Sequence, residues 1–444
     1  MDLAIPADVP LADLLPTLLR YAGEDLADEG VRHGGWSLAR LGGQPLDHGR
    51  TAAQLGVRDG EVLYFNPRAA AAPEIVFDDV VDAVATATNQ RPGSWQVGTT
   101  RSFSVLLAAS ALSAAGLAAL FAGPPQLPGA IAALLVAVAL VVSAAVLSRA
   151  AGDSRTGSVL ALAGIGHAAI GGLLVLAGDR TLTELAAPHV LLAATAVVVS
   201  GAVAALAVGD RLPLFFGAVA VGAAVGFGAV VSLVFSIGAP AAAAVVATVA
   251  FATLPALPMA AYRLARLPVP SIPTGPDDLK TDTESVDGRR VLRLSERADE
   301  FLTALLWTVA LLVLGGEVVL ALDGRLPAVL LCLVLALLSL LRARPFIGRA
   351  LRVPVLLAGA LGLGLTAAAT FAAGGTATRL GVVLGGLVGV AVISLIYGLT
   401  VAGKRISPVW GRLLDIVEIL LIISLVPLAV WVCGLYGWIV NLRP

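Results

Sequence analysis

Beyond residue 102 the apolar positions follow neither a two-residue nor a 3.6-residue period; they run on in long Ala/Val/Leu/Gly stretches. A hydrocarbon layer of about 30 Å takes roughly 20 apolar residues in a helix. That rule predicts eleven membrane segments, at about 103–122, 128–148, 157–177, 186–208, 213–236, 239–261, 301–321, 326–341, 352–373, 379–400 and 413–439. The segment 326–341 is the shortest and is hemmed by Arg325 and Arg342. Without it the count is ten and the C-terminus changes side.

The first 67 residues have a different rhythm. Leu3-Ala4-Ile5 reads as a short strand, and Leu11, Leu14, Leu15, Leu18 and Leu19 line one face of a helix running to about Tyr21. Trp36 to Ala39 and Val62 to Phe65 read as further strands, with turns at Gly42-Gly43 and Asp59-Gly60. This order predicts an α+β head with one helix on a mixed sheet. The linker 68–102 follows. Within it Ile75, Val76, Val80 and Val84 fall on one helical face opposite Asp78, Asp79 and Asp82, a short amphipathic helix. Its acidic polar face suits docking to a protein or to the chain's own loop better than binding an anionic leaflet.

Composition adds a requirement. Of 444 residues 58% are hydrophobic and 13% charged, against about 25% charged in soluble proteins. Such a chain needs a membrane to cover it. A net charge of −1 without a basic tail excludes nucleic acid as a partner. Cys332 and Cys433 both lie in apolar runs, which leaves no disulfide framework. Asp2 and Asp8 flank a very short apolar stretch, unlike a signal peptide.

The basic residues set a direction. With the head inside, nineteen Lys/Arg beyond residue 68 fall in cytoplasmic connections, and only Arg180, Arg325, Arg379 and Arg443 fall outside. The bias of Lys/Arg toward the cytoplasm therefore predicts a cytoplasmic N-terminus and, with eleven segments, an external C-terminus. The longest connection, 263–300, carries a Pro-rich start at 267–273 and an acidic middle from Asp277 to Asp287. It is a solvated linker or a partner-docking surface.

Four ionisable residues stand in or near the apolar segments: His167, Glu317, Asp415 and Glu418. Charge is costly in lipid, so each is a candidate polar site. For His167 the alternative is a neutral ring bonded to a neighbouring helix. Asp415 and Glu418 follow the helix-start signal Ser407-Pro408, and Arg412 lies three residues before Asp415, so local pairing would also satisfy them. Gly222 and Gly226, and Gly381, Gly385 and Gly389, recur every four residues, a spacing that lets helices in lipid approach closely. Trp431, Tyr436 and Trp438 form an aromatic belt. A search for reaction chemistry finds little. Gly403-Lys404 is followed by Arg405 and lacks the phosphate-cradling glycines. His33, His48, His167 and His189 have no metal-ligand spacing. No cofactor is expected, and any energy for a process must come from a partner.

Residues 41–57, closing with Asp59-Gly60-Glu61-Val62-Leu63-Tyr64, resemble the second half of a ubiquitin fold without the free diglycine tail that conjugation needs. Such a head acts as a docking module. It begins at what looks like the second strand of that fold, so Val62–Phe65 is expected to lack a neighbour and the head to be less stable than its relatives. A ubiquitin-like head on eleven spans resembles the EccD family, the polytopic component of the actinobacterial type VII (ESX) secretion machine. The supporting segments are 2–10 leading into Leu14-Leu15-Pro16, Phe77 to Val84, Arg91-Pro92 to Trp95, the Pro-rich loop, and Ser407 to Asp415.

The resemblance implies a non-enzymatic inner-membrane scaffold and channel-region component. It also implies partners: EccB, the ATPase EccC and EccE, with two copies of the chain per protomer and small WxG-type proteins as cargo. A secondary transporter with a regulatory head is the alternative, resting on His167 as its one central ionisable group.

Overall fold

The computed structural model describes residues 3, 5–22, 35–40, 44–67, 97–267, 288–401 and 408–436. The expected amphipathic helix at 75–84, the Pro-rich loop, Trp438 and the Gly42-Gly43 turn lie outside them. The chain divides into a head, residues 1–97, and a membrane unit, residues 98–444.

In the head, α1 (Leu11–Ala22) is amphipathic and starts beside Pro10. It lays Leu11 and Leu18 against Leu38, with Leu14, Leu15, Leu55, Leu63 and Phe65 around them. The strands β1 (Trp36–Ala39) and β2 (Tyr64–Pro67) pair antiparallel, Leu38 opposite Phe65. β2 sits two residues later than the sequence pattern suggested, because Gly60, at φ +76°, turns the chain early and Glu61 to Leu63 stay irregular. Arg40 fastens that turn: its Nε donates to Glu61 Oε1 at 2.5 Å and its Nη2 to the carbonyls of Leu55 and Gly56, each at 3.2 Å. The guanidinium holds the Glu61 carboxyl below the usual range.

The membrane unit begins with α2 (Val97–Leu120), α3 (Gln126–Arg149), α4 (Ser154–Leu174), α5 (Ala187–Val208) and α6 (Leu212–Phe235). A broken span follows: α7 (Ala239–Ala252), a 3-10 turn at Leu254–Ala256, and α8 (Leu257–Ala265). Pro255 and Pro258 remove two backbone donors there, which accounts for the break. α9 (Gly288–Asp323), α10 (Leu326–Arg342), α11 (Arg349–Ala373), a segment of π-helical turns around α12 (Gly385–Ile396), and α13 (Pro408–Val432) complete the unit.

Ten helices among the described residues are long and apolar enough to cross a membrane; α10, at 17 residues, is the shorter eleventh. It is also among the most enclosed, with Leu331, Cys332, Leu335 and Leu338 fully buried. Neighbouring helices surround its core positions, so it depends little on matching the bilayer. Two boundaries differ from the expected ones. α9 starts at Gly288, thirteen residues before the predicted span, because Ala298 and Phe301 pack on Ala261 and Ala265 of α8 and extend the helix into the connection. α13 ends at Val432, where Gly434 turns at φ +74°.

Two cores hold the unit. Leu306, Val313, Leu320, Leu331, Leu335 and Leu338 centre one on α9 and α10. The other joins α3 to α6 through Ala144, Ala161, Ile165, Ala204 and Phe215. Its tightest seam is between α3 and α4. A methyl group on Gly157 would lie 2.9 Å from the Ala144 carbonyl, one on Gly164 3.2 Å from that of Ala137, and one on Gly171 3.2 Å from that of Ala130. Contacts thus step by seven residues along both helices in opposite directions, an antiparallel heptad of small residues. Hydrocarbon solvates apolar side chains well, so such a seam gains from close van der Waals contact and Cα–H···O pairs, not from expelling water.

Candidate functional site

The candidate polar site closest to the centre of a packed region is on α9. Glu317 is 0% exposed, and neither carboxyl oxygen has a hydrogen-bond partner. Gly362 of α11 makes room for it: a methyl group there would lie 2.5 Å from Glu317 Cδ and 2.6 Å from Oε2. Cys332 of α10 completes the surroundings, its Sγ 3.8 Å from the carbonyls of both Glu317 and Gly362. Thr366 Oγ1 donates to the Gly362 carbonyl at 2.9 Å and lies 3.3 Å from Cys332 Sγ. The site is therefore a three-helix junction built around a carboxyl group. The sequence singled out Glu317 as a candidate site but not Cys332, Gly362 or Thr366, whose relation to α9 is set only by tertiary packing.

His167 lies on α4, 4% exposed, with Nδ1 2.9 Å from the Ala163 carbonyl of its own helix. That bond makes Nδ1 the donor and leaves Nε2 without a partner. Gly116 of α2 faces the ring; a methyl group there would lie 3.6 Å from Nε2. A cavity of about 370 Å³ separates the two helices beside it.

Asp415 and Glu418 stand in the first turns of α13, and both meet arginines from the end of α10. Arg342 Nη1 donates to Glu418 Oε1 at 3.0 Å, while Arg344 Nη2 reaches Glu418 Oε2 at 2.8 Å and Asp415 Oδ1 at 3.1 Å. Glu418 is 12% exposed and Asp415 65%, so Glu418 is the inner member of this clasp. The partners differ from the Arg412 that sequence spacing offered. A second clasp joins α2 to α5 at their connections. Arg101 pairs with Asp153, which caps α4 through the Thr156 N–H at 3.2 Å. Ser148 Oγ donates to the Val208 carbonyl at 2.7 Å, and Arg149 Nε to that of Ala207 at 2.9 Å. The Thr156 bonds and then Arg101 hold the Asp153 carboxyl down at about 2.

The glycine stripes separate. Gly222 is a close approach: a methyl carbon there would have Val197 and the Ala194 carbonyl of α5 within 3.0 Å, and one on Gly226 would make ordinary contact with Ala194 at 3.4 Å. Gly381, Gly385 and Gly389 meet nothing within 4 Å. They belong to a helical segment, Thr378–Leu399, whose most apolar window is 0% buried within the chain. At its start Arg379 Nε donates to the Phe371 carbonyl at 2.9 Å, with its guanidinium 4.7 Å from the Phe371 ring centre. Beyond that hold Val383 is the one residue of the segment buried among the described residues, fewer than in the spans before and after it. Among the described residues no group of three or more His, Cys, Asp or Glu gathers to hold a metal.

This arrangement supplies packing contacts, ionic clasps and apolar faces exposed within the chain. The EccD-like transmembrane domain family matches residues 100–442, and the YukD family of the WXG100 protein secretion system matches residues 1–65. From Mycobacterium tuberculosis, the ESX-4 secretion system protein eccD4 is 29% identical over 98% of this chain and 94% of its own length. The ESX-3 protein EccD3 of the same organism is 29% identical over 99% and 96%. Among solved structures, protomer 1 of the ESX-3 core complex shares the fold with a TM-score of 0.61 at 22% identity, covering 99% of this chain and 97% of the other. A chain of the MycP5-free ESX-5 inner membrane complex gives 0.54 at 19% identity, covering 88% and 95%. With three quarters of its length matched by that membrane family and its head by the ubiquitin-like one, the chain belongs to the EccD family and is an EccD of a type VII secretion system.

Proposed function

We propose that this multi-pass inner-membrane protein is a non-catalytic scaffold around which a type VII core complex assembles, with its head and C-terminal end on opposite sides of the membrane and the head in the cytoplasm. The observation that carries the reading is the segment 378–399, apolar beyond Arg379 and almost unburied within its own chain, with Val383 its one buried residue. A helix that a fold keeps out of its own bundle is available to another protein. By family resemblance its companions are a second copy of this chain, EccB and EccE in the membrane, and the ATPase EccC, whose cytoplasmic parts the head and the 263–300 connection would hold. WxG-type proteins would be the cargo. Family membership favours this over a secondary transporter built on His167.

The Lys/Arg asymmetry supports the orientation. A ubiquitin-like head with no free diglycine tail supports docking in place of conjugation. Deleting residues 1–67 from the chromosomal copy tests the reading. The shortened chain is expected to reach the membrane but to lose EccC on purification, and secretion is expected to stop. Intact assembly and secretion would sink the docking role.

A further inference from the structure

A cavity of about 740 Å³ lies between α5, α6, α7 and α9. Ligand cavities commonly fall at about 300–1,000 Å³, so the size is that of a binding site. Its lining on α6 runs along one face from Val221 through Val225, Ala229 and Ser232 to Ser236. Fifteen steps at about 1.5 Å each make the cavity about 22 Å long. That length and the apolar lining by Val221, Val225 and Leu312 match an extended hydrocarbon chain.

Polarity is graded along it. Ser236 and the first residues of α5 and α7, Ala187 and Ala239, lie at one end, the bundle surface, while Val221, Val225 and Leu312 line the other. The hydroxyl partway down is already used, because Ser232 Oγ donates to the Ile237 carbonyl at 2.6 Å. Leu233 and Leu311 on the lining are exposed, so the mouth opens among side chains that face the bilayer. Gly315 of α9 also lines the cavity and has nothing within 4 Å of a methyl position, which keeps the space clear.

We infer that this cavity is a slot for one acyl chain of a membrane phospholipid, the glycerol end seated at the Ser236–Ala239 turn and the chain lying along α6. A chain held there fills the gap between the α5–α6 pair and the α7–α9 pair and ties them together. The inference rests on the chain spanning a bilayer, not on its role in secretion.

The test uses the full chain in nanodiscs containing phosphatidylethanolamine with a diazirine midway along one acyl chain, followed by mapping of adducts by mass spectrometry. Adducts are expected to concentrate on Val221–Ser232 and Leu311–Gly315, above the level on the lipid-facing α2. Gly315→Leu, and separately Ala242→Leu, should cut them by at least about tenfold, equivalent to roughly 1.4 kcal/mol, while labelling of α2 stays constant. Monodisperse elution confirms that each variant folds. Even labelling of all lipid-facing helices, or labelling indifferent to both variants, would overturn the inference. So would slot adducts that vanish when the chain is purified within its complex, since a partner's side chains would then be the occupant.

Discussion

Gly362→Ala probes the Glu317 junction most sharply. The added methyl carbon would lie 2.5 Å from Glu317 Cδ, where nonbonded carbons settle at about 3.5–4.0 Å. Relief needs a retreat of about 1 Å, and Glu317 is enclosed by α10 and α11, so it must change rotamer or push α9 from α11. Overpacking of this kind costs about 1–3 kcal/mol. Gly364→Ala, two residues on with nothing within 4 Å, provides the control. It removes a helix glycine without a clash and should gain about 0.5–1 kcal/mol.

The helix-propensity gain is common to both variants, so they should differ by the clash alone, about 1–3 kcal/mol. A thiol-reactive fluorophore reads the unfolding directly, since Cys332 is buried at this junction and Cys433 is the only other cysteine. Combining Gly362→Ala with Glu317→Ala should recover most of the loss, with a coupling energy above about 1 kcal/mol. Equal stability of the two alanine variants, or no recovery in the double variant, would refute the packing described.

Other consequences follow from the clasps and the head. Arg344→Ala removes a bond from the nearly buried Glu418 and should cost about 1–2 kcal/mol, between the values for exposed and buried pairs, seen as earlier labelling of Cys433 on warming. Asp153, held at about 2 against its usual 3.8, stabilises the fold above its unfolded value. That contribution is lost as pH falls from about 4 toward 2, so melting profiles of wild type and Asp153→Asn should converge across this window and separate above it. Leu38→Ala opens a hole beside Leu11 and Leu18 in the head and should cost about 2–4 kcal/mol. Hydrogen exchange of the full chain should show α1 losing protection while the membrane helices keep theirs.

How much of this was readable beforehand depended on how local each signal is. A run of about 20 apolar residues declares a span by itself, and Trp36–Ala39 declares a strand by its residue types; both appear where expected. The close-packed glycines were harder. Gly381, Gly385 and Gly389 have the regular spacing, yet among the described residues no helix of the same chain comes within 4 Å of a methyl position on them. The seam that does form carries Gly157, Ala161, Gly164, Ala168 and Gly171 on α4 opposite Ala130, Ala137 and Ala144 on α3. Its heptad of small residues was present in the sequence and would have been found by asking for a seven-residue repeat in two successive spans. No comparable signal pairs Gly362 with Glu317, because 45 residues and three helices' worth of packing decide that they meet. The arginine partners of Asp415 and Glu418 were likewise hidden, since they arrive from another helix end.

The scaffold role is tested most directly by purifying a tagged copy of the full chain from native membranes in mild detergent and identifying what accompanies it. A stable particle containing a second copy of this chain together with EccB, EccC and EccE is the expected result. Recovery of the chain alone, from cells that are secreting, would contradict it.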